Sequence, residues 1–133
     1  MEVHRSSHEA AGNLTAPAVA LGNFDGVHRG HQALFARARA AADADRQGGA
    51  VTALTFDPHP ARFFNPELAP PHICTEQQKL ELMQACGVDA VVIEPFTADL
   101  ASLTPREFAE QVLVRRLGAR HVVVGHGFRF GKK

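Results

Sequence analysis

Four short apolar runs, separated by segments with helical periodicity, constrain the fold of this chain more than any other feature. The runs are "PAVALGNF" at 17–24, "AVTALTF" at 50–56, "VDAVVIE" at 88–94 and "RHVVVG" at 120–125. Short uninterrupted apolar runs are typical of strands that are buried on both faces of a sheet. The sequence therefore predicts four buried strands, the first ending at Gly22 and the second at Asp57.

Three helices are predicted between these strands. The first extends from about Gly30 to Arg46 and is stopped by Gly48 and Gly49. The second and third, "TEQQKLELMQAC" and "TPREFAEQVLVRRLG", each begin with a threonine that is followed three residues later by Gln or Glu, which is the capping-box pattern. Apolar residues recur at helical spacing in the first helix, at Leu34, Phe35, Ala38, Ala41 and Ala42.

This alternation of strands and helices predicts an α/β fold built from parallel, right-handed crossover units. We expect a Rossmann-like open parallel sheet with helices on both faces, formed by residues 1–133 as a single domain without internal repeats. Ligands of such sheets bind beyond the carboxyl ends of the strands. That edge collects the segments "GNFDGVHRGH", "DPHPARFF", "EPFTADL" and "GHGFRFGKK".

Charge and hydropathy exclude several classes of function. Fourteen Lys and Arg residues balance fourteen Asp and Glu residues, so neither a nucleic-acid nor a membrane partner is expected. No apolar run approaches the roughly 20 residues that span a bilayer, and the N-terminus lacks the apolar core of a signal peptide. Cys74 and Cys86 form neither a CxxC pair nor a disulfide framework, so we expect reduced thiols in a cytoplasmic protein.

The stretch "GNFDGVHRGHQALF", at 22–35, carries the strongest functional signal. Gly22, Gly26 and Gly30 allow the backbone to approach a ligand closely. The first turn of the following helix offers unpaired N–H groups and the positive end of the helix dipole, both of which suit phosphate. His28 and His31 lie three residues apart at this turn. Both can donate hydrogen bonds to anionic oxygens and stabilise the charge that develops in a phosphoryl transition state.

Two other interpretations of these histidines stay open. His28 and His31 could form half of a zinc site, but no HExxH motif, cysteine pair or third ligand is recognisable, and no bound metal is expected. They could also cap the helix without binding anything. The phosphate-binding patterns GxxxxGK[ST] and GxGxxG do not occur in this stretch.

The segment "GNFDGVHRGH" resembles the GxFDGxHxGH form of the HxGH nucleotidyltransferase motif. It is followed in order by "TFDPHPARFF", "QQKLELMQACGVDAVVIEPF", "LTPREF" and "VVVGHGFRFGKK". From about residue 16 to the last residue, this series resembles the FMN adenylyltransferase domain of the bacterial bifunctional riboflavin kinase/FAD synthetases. The resemblance implies that the phosphate of FMN attacks the α-phosphate of ATP to give FAD and pyrophosphate, with Mg²⁺ accompanying ATP.

The resemblance also implies roles for individual residues. His28 and His31 would be the catalytic residues, in contact with the ATP phosphates. The nucleotide pocket would comprise Gly22, Asn23, Phe24, Asp25, Gly26, His28, Gly30 and His31. The flavin side would comprise Pro58, His59, Phe63, Phe64, Gly127 and Arg129. Aromatic and aliphatic walls suit an isoalloxazine ring, although core packing is the alternative for the two phenylalanines and a structural role for the arginine.

The chain departs from the family pattern at several points. Gly127 stands where the family has Asp or Asn, and "HIC" at 72–74 stands where Arg and Leu are usual. The family pattern continues beyond "FGKK" into a Ser/Thr-rich phosphate-binding segment and then a riboflavin kinase domain. We therefore expect an incomplete adenylyltransferase domain whose parent chain carries the kinase. The alternatives are an HxGH adenylyltransferase with another phosphate acceptor and a non-catalytic nucleotide- or flavin-binding module.

Overall fold

A parallel sheet forms the centre of the molecule in the computed structural model, which describes residues 1–24, 29–57, 67 and 75–125. The strands of this part of the chain are β1 Glu2–His4, β2 Ala18–Leu21, β3 Val51–Asp57, β4 Ala90–Pro95 and β5 His121–Val124. All pairings are parallel, and the spatial order is β1-β4-β3-β2-β5. The predicted open parallel sheet is confirmed. The prediction that all four apolar runs are buried strands is wrong for β5, which lies at an edge of the sheet and has Val122 and Val124 exposed.

Helices connect these strands on both faces of the sheet. Their bounds are α1 Ser7–Ala10, α2 Arg29–Ala44, α3 Glu76–Ala85, α4 Ala98–Ala101 and α5 Pro105–Phe108, and α5 continues into a π-helix at Ala109–Arg116. Both predicted capping boxes are present, with Thr75 and Thr104 each accepting from the backbone N–H three residues later. Each box satisfies two backbone donors that would otherwise be unpaired at a helix start.

The two faces of β2 show how the sheet divides its core. Ala18 and Ala20 lie on the side of α2 and α3, where their small side chains leave room for Phe24 and Phe35. Val19 and Leu21 lie on the other side, in a second cluster with residues of α1, α4 and the π-helix. Because side chains alternate across a strand, one fully buried strand supplies both cores.

The register places the ends of β2 and β5 at one level, whereas β3 continues beyond it to Asp57. Leu21 pairs with Leu54 on one side and with Val124 on the other. The chain moves from β2 to β3 and β4 in one direction, and it crosses back to place β5 on the opposite side of β2. The topological switch point therefore lies between β2 and β5, and Gly22 and Gly125 follow directly at its carboxyl edge.

The structure corrects several details of the predicted elements, including the four-residue helices α1 and α4, which the sequence analysis did not predict. The sequence analysis missed β1, because three residues are too few to show a period. The third predicted helix, 104–118, is α5 followed by the π-helix, in which the N–H of Leu117 donates to the carbonyl of Val112 at 3.0 Å. Periodicity does not separate the two forms here, since Phe108 and Val112 face the core in both.

The end of α2 is tied to the start of β5 by Asp45. The helix stops at Ala44, two residues before the predicted end. The Asp45 carboxylate accepts from the N–H of Gln47 at 2.9 Å, from Arg120 Nε at 3.1 Å and from His121 Nε2 at 3.0 Å. These hydrogen bonds, first the one from Gln47 and then those from Arg120 and His121, lower the pKa of Asp45 to about 2.

Candidate functional site

A strained turn leaves the carboxyl end of β2. Phe24 has a φ of +54°, which places a bulky residue in the left-handed region. Such a conformation costs on the order of 1–3 kcal/mol and persists only where the surroundings hold it. The side chain is fully buried and its ring lies 4.9 Å from that of Phe35. The turn is therefore held by packing against α2.

Gly22 is the residue that lets this turn close. Its N–H donates to the Leu54 carbonyl at 3.1 Å, which continues the β2–β3 ladder by one residue. A Cβ on Gly22 would lie 3.1 Å from Cε1 of Phe24, which is tighter than nine in ten real contacts of that kind. The missing side chain is thus required by a close approach within the turn.

The backbone carbonyl of Asn23 accepts two side-chain hydrogen bonds that hold the turn. The carbonyl oxygen accepts from Thr55 Oγ1 at 3.1 Å and from Lys79 Nζ at 3.0 Å. The side-chain Oδ1 of Asn23 is buried and has no hydrogen-bond partner. A buried acceptor without a donor costs about 1–3 kcal/mol, so the site contains a group suited to a donor supplied by a ligand.

His31 stands in the first turn of α2, as expected from the sequence. It is half-buried, and its ring meets Phe24 edge-to-face, with a centroid distance of 5.1 Å and an interplanar angle of 81°. This contact fixes the imidazole close to the positive end of the helix dipole. An imidazole in this place can donate a hydrogen bond to an anionic oxygen.

The described residues bring together one part of the predicted site. Gly22, Asn23 and Phe24 lie at the end of β2, and Gly30 and His31 lie in the first turn of the helix that follows. The other predicted site residues fall outside the described residues: Asp25, Gly26, His28, Pro58, His59, Phe63, Phe64, Gly127 and Arg129. Their placement stays a prediction.

Two residues of the site were missed by the sequence analysis. Thr55 looks like an ordinary strand residue, and Lys79 looks like a solvated helix residue. Lys79 is the single cation of α3, which is a weak signal. The direction of its side chain depends on how α3 packs against the sheet, and the sequence does not show that packing.

A cavity lies on the face of the sheet that is opposite α2 and α3. It measures about 290 Å³ and is lined by polar groups from α1, the end of β4 and the π-helix. Glu94 is 4% exposed, and its Oε1 accepts from the N–H of Ser7 at 3.1 Å. Its Oε2 lacks a hydrogen bond and lies 3.8 Å from Nη1 of Arg116.

The described residues lack the features of two other classes of site. No group of three or more His, Cys, Asp or Glu residues there is arranged to hold a metal ion. None of the helices described has the length and apolar character needed to cross a membrane. Cys86 is a free thiol packed against the core, and Cys74 lies outside the described residues.

Comparison with known families decides where the chain belongs. The family profile described as FAD synthetase matches residues 11–133, which is nearly the whole chain. The chain belongs to the FAD synthetase family. This assignment confirms the resemblance on which the sequence analysis relied.

Several curated relatives of this FAD synthetase chain are described as bifunctional riboflavin kinase/FMN adenylyltransferase. The relative from Pseudomonas fluorescens is 38% identical over 131 residues, which cover 98% of this chain and 41% of the relative. The relative from Listeria monocytogenes is 38% identical over 116 residues, covering 86% and 36%. The chain therefore spans about two fifths of the length of the curated relatives it matches.

A solved structure shows the same fold. A Streptococcus pneumoniae protein described as a macrolide-efflux protein is 28% identical and superposes with a TM-score of 0.79. The match covers 98% of this chain and 43% of the pneumococcal one. The likeness confirms the α/β nucleotidyltransferase-like fold, while the efflux description concerns that protein.

Proposed function

We propose that this chain is the nucleotide-binding part of an FMN adenylyltransferase, which transfers AMP from ATP to FMN to give FAD and pyrophosphate. Membership of the FAD synthetase family over residues 11–133 is the observation that carries the proposal. The strained turn after β2 lies at the switch point of the sheet, where ligands of such folds bind. Cytoplasmic flavin biosynthesis is the setting that follows from this activity.

His31 is proposed as a catalytic residue, together with His28. The position of His31 in the first turn of α2, braced by Phe24, supports this role. A positioned donor at that point would stabilise negative charge as the bond between the α- and β-phosphates breaks. The remaining nucleotide pocket is proposed to comprise Gly22, Asn23, Phe24, Asp25, Gly26 and Gly30.

The flavin is proposed to bind beside the nucleotide, between the segments that follow β3 and β5. These strands flank β2; β5 ends at the same level of the sheet as β2, and β3 extends beyond that level to Asp57. The segments carry the proposed flavin-binding residues Pro58, His59, Phe63, Phe64, Gly127 and Arg129. Aromatic and aliphatic walls with few polar groups are the usual lining for a planar ring system.

Mg²⁺ is proposed to arrive with ATP as part of the substrate. The hard oxygens of the phosphates are the ligands that Mg²⁺ prefers, and it commonly keeps several waters beside them. No residue of the chain is proposed as a ligand of this Mg²⁺ ion. A riboflavin kinase domain in the parent protein is proposed as the partner, because the curated relatives bear that activity in their description.

The proposal is tested first by binding. We expect the 133-residue chain to bind Mg·ATP in calorimetry and His31→Ala to weaken that binding. His8→Ala is the matched control, since His8 is an exposed histidine on α1, next to the cavity on the other face of the sheet. Equal effects of the two substitutions would contradict the role of His31.

Turnover is tested in the parent protein that carries these residues, with FMN, ATP and Mg²⁺ as substrates. FAD and pyrophosphate are followed by chromatography. We expect His28→Ala and His31→Ala each to lower FAD formation about 100-fold or more, because each removes a donor that acts on the transition state. Binding of ATP without release of pyrophosphate would favour a non-catalytic module. Transfer of AMP to an acceptor other than FMN would favour a relative with different specificity.

A further inference from the structure

The Asn23 carbonyl is held by two donors that reach it from different elements. Thr55 Oγ1 approaches from β3 at 3.1 Å, and Lys79 Nζ approaches from α3 at 3.0 Å. Asn23 immediately precedes Phe24, whose φ of +54° needs support from its surroundings. A peptide plane with two donors on its carbonyl oxygen is fixed in orientation, and that orientation sets the dihedral of the next residue.

The position of α3 supports this contact. The capping box at Thr75 fixes the start of the helix, and Met83 is fully buried in the core beneath it. Lys79 is half-buried between these two points. A solvated lysine would normally extend its ammonium into water, whereas this one directs it to a main-chain oxygen across 56 residues of sequence.

Phe24, the residue after Asn23, contacts the proposed catalytic residue His31. Phe24 is fully buried, and its ring is 5.1 Å from the ring of His31. A rotation of the peptide before Phe24 would move this ring and withdraw the surface against which the imidazole rests. Ammonium donors make stronger hydrogen bonds than neutral ones, so the loss of Lys79 would affect this path more than the loss of a neutral donor.

We propose that Lys79 is a positioning residue: by donating to the Asn23 carbonyl it holds the 22–24 turn in its left-handed form and so places Phe24 and His31. This inference rests on the proposed function for its effect on nucleotide binding. It does not rest on that function for its effect on the turn. The two effects are measured separately.

The first measurement uses the 133-residue chain without a ligand. The amide NMR spectrum is recorded for wild type, Lys79→Met, Lys79→Arg and Gln77→Met. The Phe24 amide, which shares a peptide unit with the Asn23 carbonyl, is expected to shift in Lys79→Met and to return towards its wild-type position in Lys79→Arg. Gln77→Met is the control, since Gln77 lies on the same helix, is exposed and pairs with Glu81. An unmoved Phe24 resonance in Lys79→Met would overturn the proposal.

The second measurement is the affinity for Mg·ATP by calorimetry. We expect Lys79→Met to weaken binding about 10-fold, Lys79→Arg to recover most of the loss and Gln77→Met to have no effect. Thr55→Val removes the other donor, so the double variant with Lys79→Met should lose less than the product of the single losses. Equal affinities of wild type and Lys79→Met would also overturn the proposal.

The role of Lys79 can still be tested if the chain does not bind Mg·ATP or if Lys79→Met does not fold. If the wild-type chain does not bind Mg·ATP, the proposed function fails, and the Phe24 resonance alone decides the role of Lys79. If Lys79→Met does not fold, Lys79→Gln takes its place, since it removes the ammonium group and keeps a polar side chain at this half-buried position. A displaced Phe24 resonance in Lys79→Gln but not in Lys79→Arg supports the proposal, and unchanged spectra in both overturn it.

Discussion

The Asp45 carboxylate lies 3.0 Å from Nε2 of His121, which joins the residue after α2 to the first residue of β5. The same oxygen, Oδ2, also accepts from Arg120, and the Asp45 side chain is 4% exposed. One carboxylate therefore holds the edge strand β5 to the helix that begins at the candidate site. This contact predicts that the stability of the folded chain depends on pH through Asp45.

Stability is expected to fall in acid through Asp45. Its hydrogen bonds hold the pKa at about 2 in the folded chain, against an ordinary value of 3.8. Because the folded pKa is the lower one, the contribution is complete above about pH 4 and is lost as the pH falls towards 2. Urea unfolding of wild type and Asp45→Asn should show a stability difference that shrinks over this range. Asp43→Asn, two residues earlier and exposed, serves as the control; an identical pH dependence in both variants would contradict the prediction.

Gly22→Ala is expected to destabilise the chain by about 1–3 kcal/mol, because the new Cβ would crowd the Phe24 ring. That ring is fully buried between Phe35 and His31 and has little room to move. Gly125→Ala is the matched control at the end of β5. Its Cβ would lie 3.7 Å from Cδ1 of Leu34, an ordinary contact. Similar unfolding free energies for the two variants would show that the turn tolerates the extra methyl group.

Arg116→Met is expected to cost about 3 kcal/mol, because it leaves the buried Glu94 carboxylate without its cation. The double variant Arg116→Met with Glu94→Met removes both charges and should recover a large part of that loss. Chemical unfolding of the two single variants and the double variant measures the coupling. Additive losses would mean that the 3.8 Å separation is too long for the pair to interact.

The outer surface of β5 is expected to promote association. Val122 and Val124 are 46% and 43% exposed, although valine is a residue usually found in cores. Replacing both with threonine keeps the β-branched shape that suits a strand and lowers the apolar area. Light scattering over a concentration series should show less self-association in the double variant. An unchanged scattering profile would contradict a role of Val122 and Val124 in self-association.

The sequence predicted the alternation of strands and helices well, because each long element carried its own signal. Short, mainly apolar runs marked the strands, although the last of them, β5, is partly exposed. The helices from Thr75 and Thr104 began with complete capping boxes. β1 was too short to show a pattern. The π-helix was hidden because a change of one residue in hydrogen-bond register leaves the same side chains facing the core.

The candidate site was only partly predictable. Glycines and a histidine after a buried strand indicated where a ligand would bind, and the structure places Gly22, Gly30 and His31 at that edge. The left-handed φ of Phe24 could not be foreseen, because it depends on contacts from β3 and α3. Lys79 was missed for the same reason: its role arises from tertiary packing between residues far apart in sequence.

The central place of β2 in the sheet has a consequence for dynamics. β2 is paired along its length on both sides, with β3 and with β5. Amide protons in such a strand exchange with solvent mainly through the rarest, most extensive openings of a protein, whereas those at sheet edges exchange through local fraying. The turn that carries Asn23 and Phe24 grows directly from this strand. Hydrogen exchange should therefore be slowest immediately before the candidate site, so that the strained turn is anchored to the part of the molecule that opens last.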